Sequence, residues 1–391
     1  MRAVLSGLAG GFVLGYATMR TYDALVDIRS AARSERPDAR AYGRERRRLM
    51  LAGLVRSLAT AGWMAFALVP PTGGDAAGAK HRVRRLLAVT AATIFSSLLE
   101  LPSDYIEDHV LERRYALSKQ PPRAWLIDRV KALCVATIVT LVVVEIMVSI
   151  MRRWPRAWPW LVTAATVPML VLGNLIAPVF ILPWFNTYEP IRGELEERLR
   201  RLARRYGVGD AQILRVDMSR QTEKANACVM GLFGTHRIVV GDTLLHHFTA
   251  DEIEFVVAHE LGHYVHCDVW RSVAVGTSMT AFILLLARAL SSRSPRTSAT
   301  SLDGLARLFF YANVVGVALG PLGASLSRSR EWAADRFAVT ATDAPGWGVD
   351  AFRRLRDRNL SEDQQPRWME ILFASHPSLR ARIAELEALR K

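Results

Sequence analysis

Cysteine is scarce in this chain of 391 residues, which contains only Cys134, Cys228 and Cys267. Cys134 falls inside an apolar run, so no disulfide framework is available. This scarcity excludes the small secreted domains that disulfide bonds stabilise. We expect all three thiols to be reduced. Cys267 lies near the histidine motif described below, but no feature of the sequence requires it as a ligand.

Acidic residues are also in deficit, since 37 Asp and Glu stand against 51 Lys and Arg and give a formal charge of +14. Such an excess is typical of proteins that bind nucleic acid. Here, however, the basic residues flank apolar runs, and four arginines precede the run that starts at Leu49: Arg44, Arg46, Arg47 and Arg48. Arginines so placed favour the cytoplasmic side and anionic lipid headgroups. The sequence therefore predicts a lipid bilayer as partner and no nucleic acid.

Apolar residues make up 51% of the chain and concentrate in runs long enough to cross a bilayer, which takes about 20 residues of helix. Seven spans are predicted, at residues 3–19, 49–70, 86–103, 132–151, 158–184, 269–290 and 305–326. The first also fits a cleaved signal peptide, but no small-x-small cleavage site precedes Arg20, which favours a retained helix. The predicted fold is mainly α, a multi-pass helical membrane protein.

The orientation of the chain in the membrane is predicted from its basic segments, since basic loops favour the cytoplasmic side. In the seven-span arrangement, residues 20–48, residues 104–131 and the two later soluble segments all lie on one side. This places the amino terminus outside and the soluble segments in the cytoplasm. Residues 71–85 oppose the rule, since they carry four basic residues on the outer side: Lys80, Arg82, Arg84 and Arg85.

Three ionisable residues fall inside predicted spans: Arg56, Glu100 and Glu145. Exposure to lipid would cost about 2.5 to 3.5 kcal/mol each on insertion scales. They are therefore expected to face protein or water. An aqueous cavity among the helices and pairing between helices both account for them.

A soluble insert separates the fifth and sixth spans. It opens with a predicted amphipathic helix near 190–206, which ends at Gly207 and is followed by short strands at 213–216, 228–230 and 237–240. Gly231 and Gly234 predict a hairpin between the last two. Thr249, followed three residues later by Glu252, predicts a capping box that starts the next helix.

That helix carries the sequence HELGH from His259 to His263. Residues four apart share a helix face, about 5 to 6 Å between Cβ atoms, so both imidazoles can hold one ion. Glu260 on the adjacent flank is placed to act as a general base toward water at that ion. Gly262 leaves space for a neighbouring backbone. The alternative is an ordinary amphipathic stretch, because short motifs also occur by chance.

A catalytic zinc site normally takes three protein ligands, so a third must come from elsewhere. The best candidate is Glu331, in SRSREWAADRFA just after the last span, with Asp335 on the same helical face. Asp335 would accept a hydrogen bond from the outer nitrogen of a ligand histidine. His266 is an alternative third ligand, although a rigid helix would have to bend to bring it to the ion.

Taken together, these residues resemble the integral-membrane zinc endopeptidases typified by the CAAX prenyl proteases. The resemblance covers most of the chain and rests on four blocks in order: NAC at Asn226 with RIVVGDTLL from Arg237, HELGH at His259, SRSREWAAD from Ser327, and SHPSLRARI from Ser375. The long segment LPSDYIEDHVLERRYALSKQPPRAWLIDRVKAL between the third and fourth spans is similar to the prenyl-protease branch rather than to the shorter heat-shock membrane proteases.

The resemblance implies a helical barrel around a water-filled chamber, with one zinc ion near its cytoplasmic end. Asn226 and Ala227 would lie on a strand that pairs with an extended peptide. His376 and Asn226 would approach the developing oxyanion, and Arg382 would pair with Asp335. Two departures concern the substrate: ALSK from Ala116 replaces a GFN-like element, and Cys228 stands where the family often has a larger side chain.

The predicted domains are membrane helices with their loops at 1–185, a soluble α+β insert at 186–268, two membrane helices at 269–326 and a carboxyl-terminal catalytic segment at 327–391. The predicted function is zinc endopeptidase of CAAX prenyl protease-like type, acting on a peptide or protein that is prenylated or membrane-associated. The alternatives are a quality-control or peptide-processing protease without prenyl specificity and a non-catalytic membrane scaffold.

Overall fold

The computed structural model describes residues 37–68, 78–291 and 298–390. The predicted first span and its signal-peptide alternative lie outside these residues. Among the described residues, six helical stretches are long and apolar enough to cross a membrane: Asp38–Leu68, Lys80–Arg114, Pro122–Arg153, Trp158–Trp184, Asp268–Ser291 and Leu302–Thr342. They correspond to the other six predicted spans. The mainly α, multi-pass fold is thus confirmed, whereas the enclosed chamber stays a prediction.

The described part of the chain forms thirteen α-helices, numbered here in chain order: α1 Pro37–Trp63, α2 Ala79–Tyr105, α3 Glu112–Arg114, α4 Pro122–Arg153, α5 Trp158–Ile176, α6 Glu194–Arg205, α7 Asp242–His247, α8 Ala250–Val265, α9 Asp268–Ser291, α10 Leu302–Thr342, α11 Pro345–Arg358, α12 Arg367–Leu372 and α13 Leu379–Ala388. Helices α1, α2 and α5 each run on into a turn of π-helix: Met64–Leu68, Ile106–Leu111 and Ala177–Ile181.

Polar contacts between membrane helices account for two of the three ionisable residues inside the spans. Arg82 and Arg85 of α2 pair with Glu145 of α4 at 3.0 and 2.7 Å. Arg56 of α1 donates to the Ser103 hydroxyl of α2 at 2.6 Å. These contacts favour interhelical pairing over a cavity for Arg56 and Glu145. They also explain why α2 starts at Ala79, before the predicted 86, because its basic first turns have a partner.

The soluble insert contains a four-stranded sheet: β1 Tyr188–Pro190, β2 Gln212–Val216, β3 Ala227–Met230 and β4 Arg237–Gly241. The strand order is β1-β2-β4-β3, with β2 and β4 parallel and the other pairs antiparallel, so β3 is an edge strand. The three predicted strands are confirmed. Only three residues form β1, which is too short for a pattern to reveal. Gly231 and Gly234 adopt positive φ angles of 96° and 80° in the predicted hairpin turn.

The soluble core joins this sheet to helices of the insert and of the carboxyl-terminal segment. Leu199 and Leu202 of the amphipathic α6 are buried in it together with Phe255 of α8. Phe352 of α11 and Leu386 of α13 close the cluster from the carboxyl-terminal side. The helix that carries HELGH is therefore packed on several sides, and its orientation is fixed.

Helix α10 connects the membrane part to the soluble part without a break. It starts at a side-chain cap, where Ser301 accepts from the Gly304 backbone N–H, and continues for 41 residues to Thr342. It packs against α9 in the membrane region and against α8 in the soluble region. Its last third therefore passes beside the HELGH motif.

Candidate metal centre

Helix α8 carries His259 and His263, and a capping box fixes the residue at which the helix begins. Thr249 and Glu252 form the predicted capping box: the Glu252 N–H donates to the Thr249 hydroxyl, and the Thr249 N–H donates to Glu252 Oε2 at 2.7 Å. The helix ends at Val265, so both histidines lie in regular helix. Their ring centroids are 4.9 Å apart, close enough for one ion to bridge them.

Glu331 of α10 completes a three-residue group with the two histidines. Its Oε2 lies 3.4 Å from His259 Nε2, and its Oε1 lies 3.4 Å from His263 Nε2. One potential ligand atom from each residue lies within 4.8 Å of the others. Glu331 Oε2 is buried, and its contacts of 3.4 Å with His259 Nε2 and Arg382 Nη1 fall short of regular hydrogen-bond geometry. Two imidazole nitrogens and a carboxylate are the donor set of a catalytic metal site, so these residues fit a divalent ion.

Gly262 permits this approach of the two helices. A Cβ atom at that position would lie 3.1 Å from the Ala334 Cα and 3.1 Å from a ring carbon of Phe337, both on α10. Contacts this short force the neighbour to move. The glycine in HELGH therefore lets α10 lie close enough for Glu331 to reach the imidazoles.

Asp335 and Arg382 lie behind the group formed by His259, His263 and Glu331, which is called the metal group below. Asp335 Oδ1 is 2.9 Å from His259 Nδ1, the outer nitrogen of that ring. Arg382 of α13 binds Asp335 through two hydrogen bonds of 2.8 and 2.6 Å, and its guanidinium lies 4.2 Å from the ring centroid of Phe352. Both hydrogen bonds from Arg382 to Asp335 are buried. They hold the Asp335 carboxylate in place, and that carboxylate orients the His259 ring.

Asp268 supplies the same support to His263, and the sequence prediction missed it. Its Oδ2 lies 2.8 Å from His263 Nδ1. Asp268 begins α9, and Cys267 before it has a φ of 55°, which turns the chain sharply between the two helices. The only sign of this contact in the sequence is an aspartate five residues after the second histidine. Whether that side chain points toward His263 depends on the turn at Cys267.

His266, the alternative third ligand, does not join the group. Its ring contacts Phe337 at a centroid distance of 5.8 Å. The cluster of potential ligands found among the described residues consists of His259, His263 and Glu331. His266 caps the end of α8, where the helix turns toward α9.

The protons at the site are set by burial and by the neighbouring carboxylates. Burial raises the pKa of Glu260, although the two histidines oppose that effect. Burial by itself lowers the pKa of His259, but the adjacent carboxylates of Asp335 and Glu331 outweigh it and raise the pKa to about 9. Without metal, His259 therefore carries a proton at neutral pH that a bound ion would displace.

A cavity of about 510 Å³ opens onto this group. Its walls include His259, Glu260, the edge residues Asn226 and Ala227, and His376 from the loop before α13. His376 Nε2 lies 3.4 Å from Glu331 Oε1, and its Nδ1 lies 2.8 Å from the Ser375 hydroxyl. All the residues predicted for the site thus meet at one cavity or directly behind it.

A second cavity, of about 360 Å³, reaches the metal group from the membrane part. Its walls include His263 and Glu331, together with Asn174 of α5 and Val273 of α9. Glu331 lines both cavities. The site is therefore accessible from the soluble domain and from among the membrane helices.

The fold and the site define a class of protein: a multi-pass membrane metallopeptidase with an HExxH helix. Comparison with known proteins agrees. Residues 191–390 match peptidase family M48, and residues 31–187 match the CAAX prenyl protease N-terminal domain, described as five membrane helices. The chain belongs to peptidase family M48.

Individual relatives support this membership. The chain is 29% identical over 314 residues to the uncharacterized metalloprotease YhfN of Bacillus subtilis, spanning 76% of this chain and 72% of that one. It is 33% identical over 171 residues to CAAX prenyl protease 1 of Saccharomyces cerevisiae, spanning 43% of this chain and 38% of that one. The crystal structure of S. mikatae Ste24p has the same fold, with a TM-score of 0.75 at 21% identity over 98% of this chain and 96% of that one. The protein is an integral-membrane peptidase that depends on a metal.

Proposed function

We propose that one zinc ion per chain is held by His259, His263 and Glu331. The observation that carries this proposal is the convergence of three ligand atoms from two helices within 4.8 Å. Asp335 and Asp268 hold the outer nitrogens of the two rings, so each ring turns Nε2 toward the ion. When bound, zinc supplies Lewis-acid chemistry, polarising a carbonyl group and acidifying water.

Peptide hydrolysis then needs a proton carrier, and we assign that role to Glu260. Its carboxylate accepts the proton of the attacking water and passes it to the departing amine as the C–N bond breaks. The raised pKa of Glu260, caused by burial, favours the first of these transfers, because a more basic carboxylate accepts the proton of water more readily. We assign the proton of neutral His376 to Nε2, with Nδ1 accepting a hydrogen bond from the Ser375 hydroxyl. The Nε2–H group would then donate to the developing oxyanion.

We further propose that the substrate binds as an added strand along β3. This strand is at the sheet edge, and Asn226 and Ala227 line the cavity that contains His259 and Glu260. Backbone pairing with an extended peptide would hold it in register across the metal. The Asn226 amide, at the start of that edge, would contribute a second donor to the oxyanion.

Replacing Glu260 by Gln tests the chemistry. The amide cannot accept the proton, so turnover of a peptide should fall by about 10²- to 10⁴-fold while zinc stays bound. Peptide cleavage and elemental zinc analysis on the same purified samples measure both quantities, with Glu254→Gln as a control on the same helix. Near-normal activity of the Glu260→Gln protein would refute the assignment.

As substrate we propose a prenylated carboxyl-terminal peptide. The support is the match of residues 31–187 to the CAAX prenyl protease N-terminal domain and the names of several relatives. The kcat/KM of a farnesylated peptide should exceed that of its unmodified twin by about tenfold or more, because burial of the isoprenoid adds apolar binding energy. Equal rates would instead indicate a quality-control or peptide-processing protease with the same chemistry.

A further inference from the structure

The backbone of the chain before and within β3 alternates between two directions. The Lys224 carbonyl accepts from the Thr243 hydroxyl at 2.9 Å, and the Asn226 carbonyl accepts from the Gly241 N–H at 3.0 Å. Both carbonyls face the end of β4 and the start of α7. Because successive residues of a strand point their backbone groups to opposite sides, Ala225, Ala227 and Val229 face the open edge. At the second of these positions the N–H donates to the Asn226 side chain at 3.0 Å, so a paired peptide would have to displace that amide oxygen.

The first of these three edge positions is already filled. Ala225 donates its N–H to Asn359 Oδ1 at 2.8 Å, and its carbonyl accepts from Asn359 Nδ2 at 3.1 Å. A side-chain amide offers the same donor and acceptor as a peptide group. Asn359 therefore occupies the place where the backbone of a paired strand would otherwise continue.

Asn359 is held firmly in that place. Asn359 is the residue directly after α11, and its N–H donates to the Leu355 carbonyl at 2.9 Å. The Ser361 N–H donates to the Arg356 carbonyl at 3.0 Å. Leu360 between them has a φ of 47°, an unfavourable angle for leucine that the surrounding structure must maintain. The Leu360 side chain packs against a buried cluster of three residues: Tyr42, Leu111 and Leu117.

Asn359 also lines the cavity that contains the metal group, together with His259, Glu260 and Asn226. We propose that Asn359 terminates the substrate-binding edge: a peptide paired with Ala227 and Val229 cannot pair past Ala225, so this side chain limits how many substrate residues the cleft accepts on one side of the scissile bond. The inference rests on the proposed function and adds a specificity-determining residue to it.

Peptide ladders test the proposal on the full-length, zinc-loaded protein in detergent. Oxidised insulin B chain serves as the first probe, and mass spectrometry locates its main cleavage site. Synthetic peptides around that site are then lengthened by one alanine at a time, at either end. In the wild type, kcat/KM should fall beyond a fixed length on one side only.

Asn359→Ala and Asn359→Gly both vacate the edge position. They should move the length limit outward by about two residues, since edge-facing groups recur every second residue. The peptide just past the wild-type limit should gain about tenfold in kcat/KM from the added pair of backbone hydrogen bonds. Glycine is common where helices end, so the second variant protects against misfolding of the first.

Leu360→Ala is the matched control, because it loosens the same helix end and leaves the amide in place. Its length limit should equal that of the wild type. A wild type without a length limit, or Asn359 variants that slow every peptide equally, would overturn the inference. A zinc-loaded wild type that cleaves no peptide would instead remove the proposed function, so the two failures are distinguishable.

Discussion

At the scale of single residues, each imidazole of the metal group has a carboxylate behind it. Asp335 stands 2.9 Å from His259 Nδ1 and Asp268 stands 2.8 Å from His263 Nδ1. Such contacts fix which ring nitrogen is free for the metal and increase its basicity. The two supports differ in origin, because Asp335 comes from the helix of the third ligand and Asp268 is the first residue of α9.

Replacing Asp268 by Ala should weaken zinc binding by about 10- to 100-fold, because His263 loses the acceptor that orients it. Competition with a chelator measures the affinity. Asp251→Ala is the control, since it removes a carboxylate that pairs with Arg198, away from the metal group. An unchanged affinity in the Asp268 variant would show that α8 alone orients the ring.

Residues of the metal group could be predicted from sequence where helical spacing alone brings them together. His259 and His263 share a face by their separation, and Glu331 and Asp335 do so on their own helix. Asp268 could not be predicted in this way, because its direction depends on the positive φ of Cys267. Asn359 is 134 positions from Ala225, and no local pattern reports a contact over that distance.

At the scale of elements, the close packing of α8 against α10 decides the distance between the imidazoles and Glu331. Gly262 sits at the contact, with Ala334 Cα and the Phe337 side chain within 3.1 Å of an added Cβ. The Ala334 backbone belongs to a continuous helix and cannot move independently. A larger residue at 262 must therefore push the two helices apart.

Gly262→Ala should lower both the melting temperature and the zinc affinity. Overpacking typically costs about 1 to 3 kcal/mol, which exceeds the gain of about 1 kcal/mol in helix propensity. Gly276→Ala in α9 is the control, because a Cβ there meets no atom within 4 Å. Thermal unfolding with and without zinc checks both effects, and equal behaviour of the two variants would contradict the packing argument.

Elements with a strong periodic pattern were predictable, and those without one were not. The apolar runs predicted seven spans, six of which lie among the described residues and are found there, and short β-rich runs predicted β2, β3 and β4. The polar extensions of the membrane helices escaped prediction, since they depend on partners such as Glu145 on another helix. Strand β1 exists because three residues align beside β2.

At the scale of the whole molecule, we expect the soluble domain to face the cytoplasm, and the cysteines allow a test. Cys267 is exposed beside the metal group, and Cys134 is exposed on the membrane helix α4. Burial, with the nearby Glu260, raises the pKa of Cys228 to about 12, so its thiol should react slowly. Cys267 is thus the reporter for the soluble domain.

In a Cys134→Ser background expressed in bacteria, a membrane-impermeant maleimide should label Cys267 only after the cells are permeabilised. Mass spectrometry of the modified peptide measures the extent of labelling, and a Cys134→Ser, Cys267→Ser double variant gives the background. Rapid labelling in intact cells would place the metal group on the outer side.

The route of the chain between the two halves of the metal group has a consequence for biosynthesis. His263 and Glu331 are separated in sequence by α9 and by the greater part of α10, which pack against each other as consecutive membrane crossings. A nascent polypeptide that has emerged only through HELGH holds an inert half-site. We therefore expect hydrolytic competence only after both of these helices have been made and have packed together, because Glu331 is carried by the second of them.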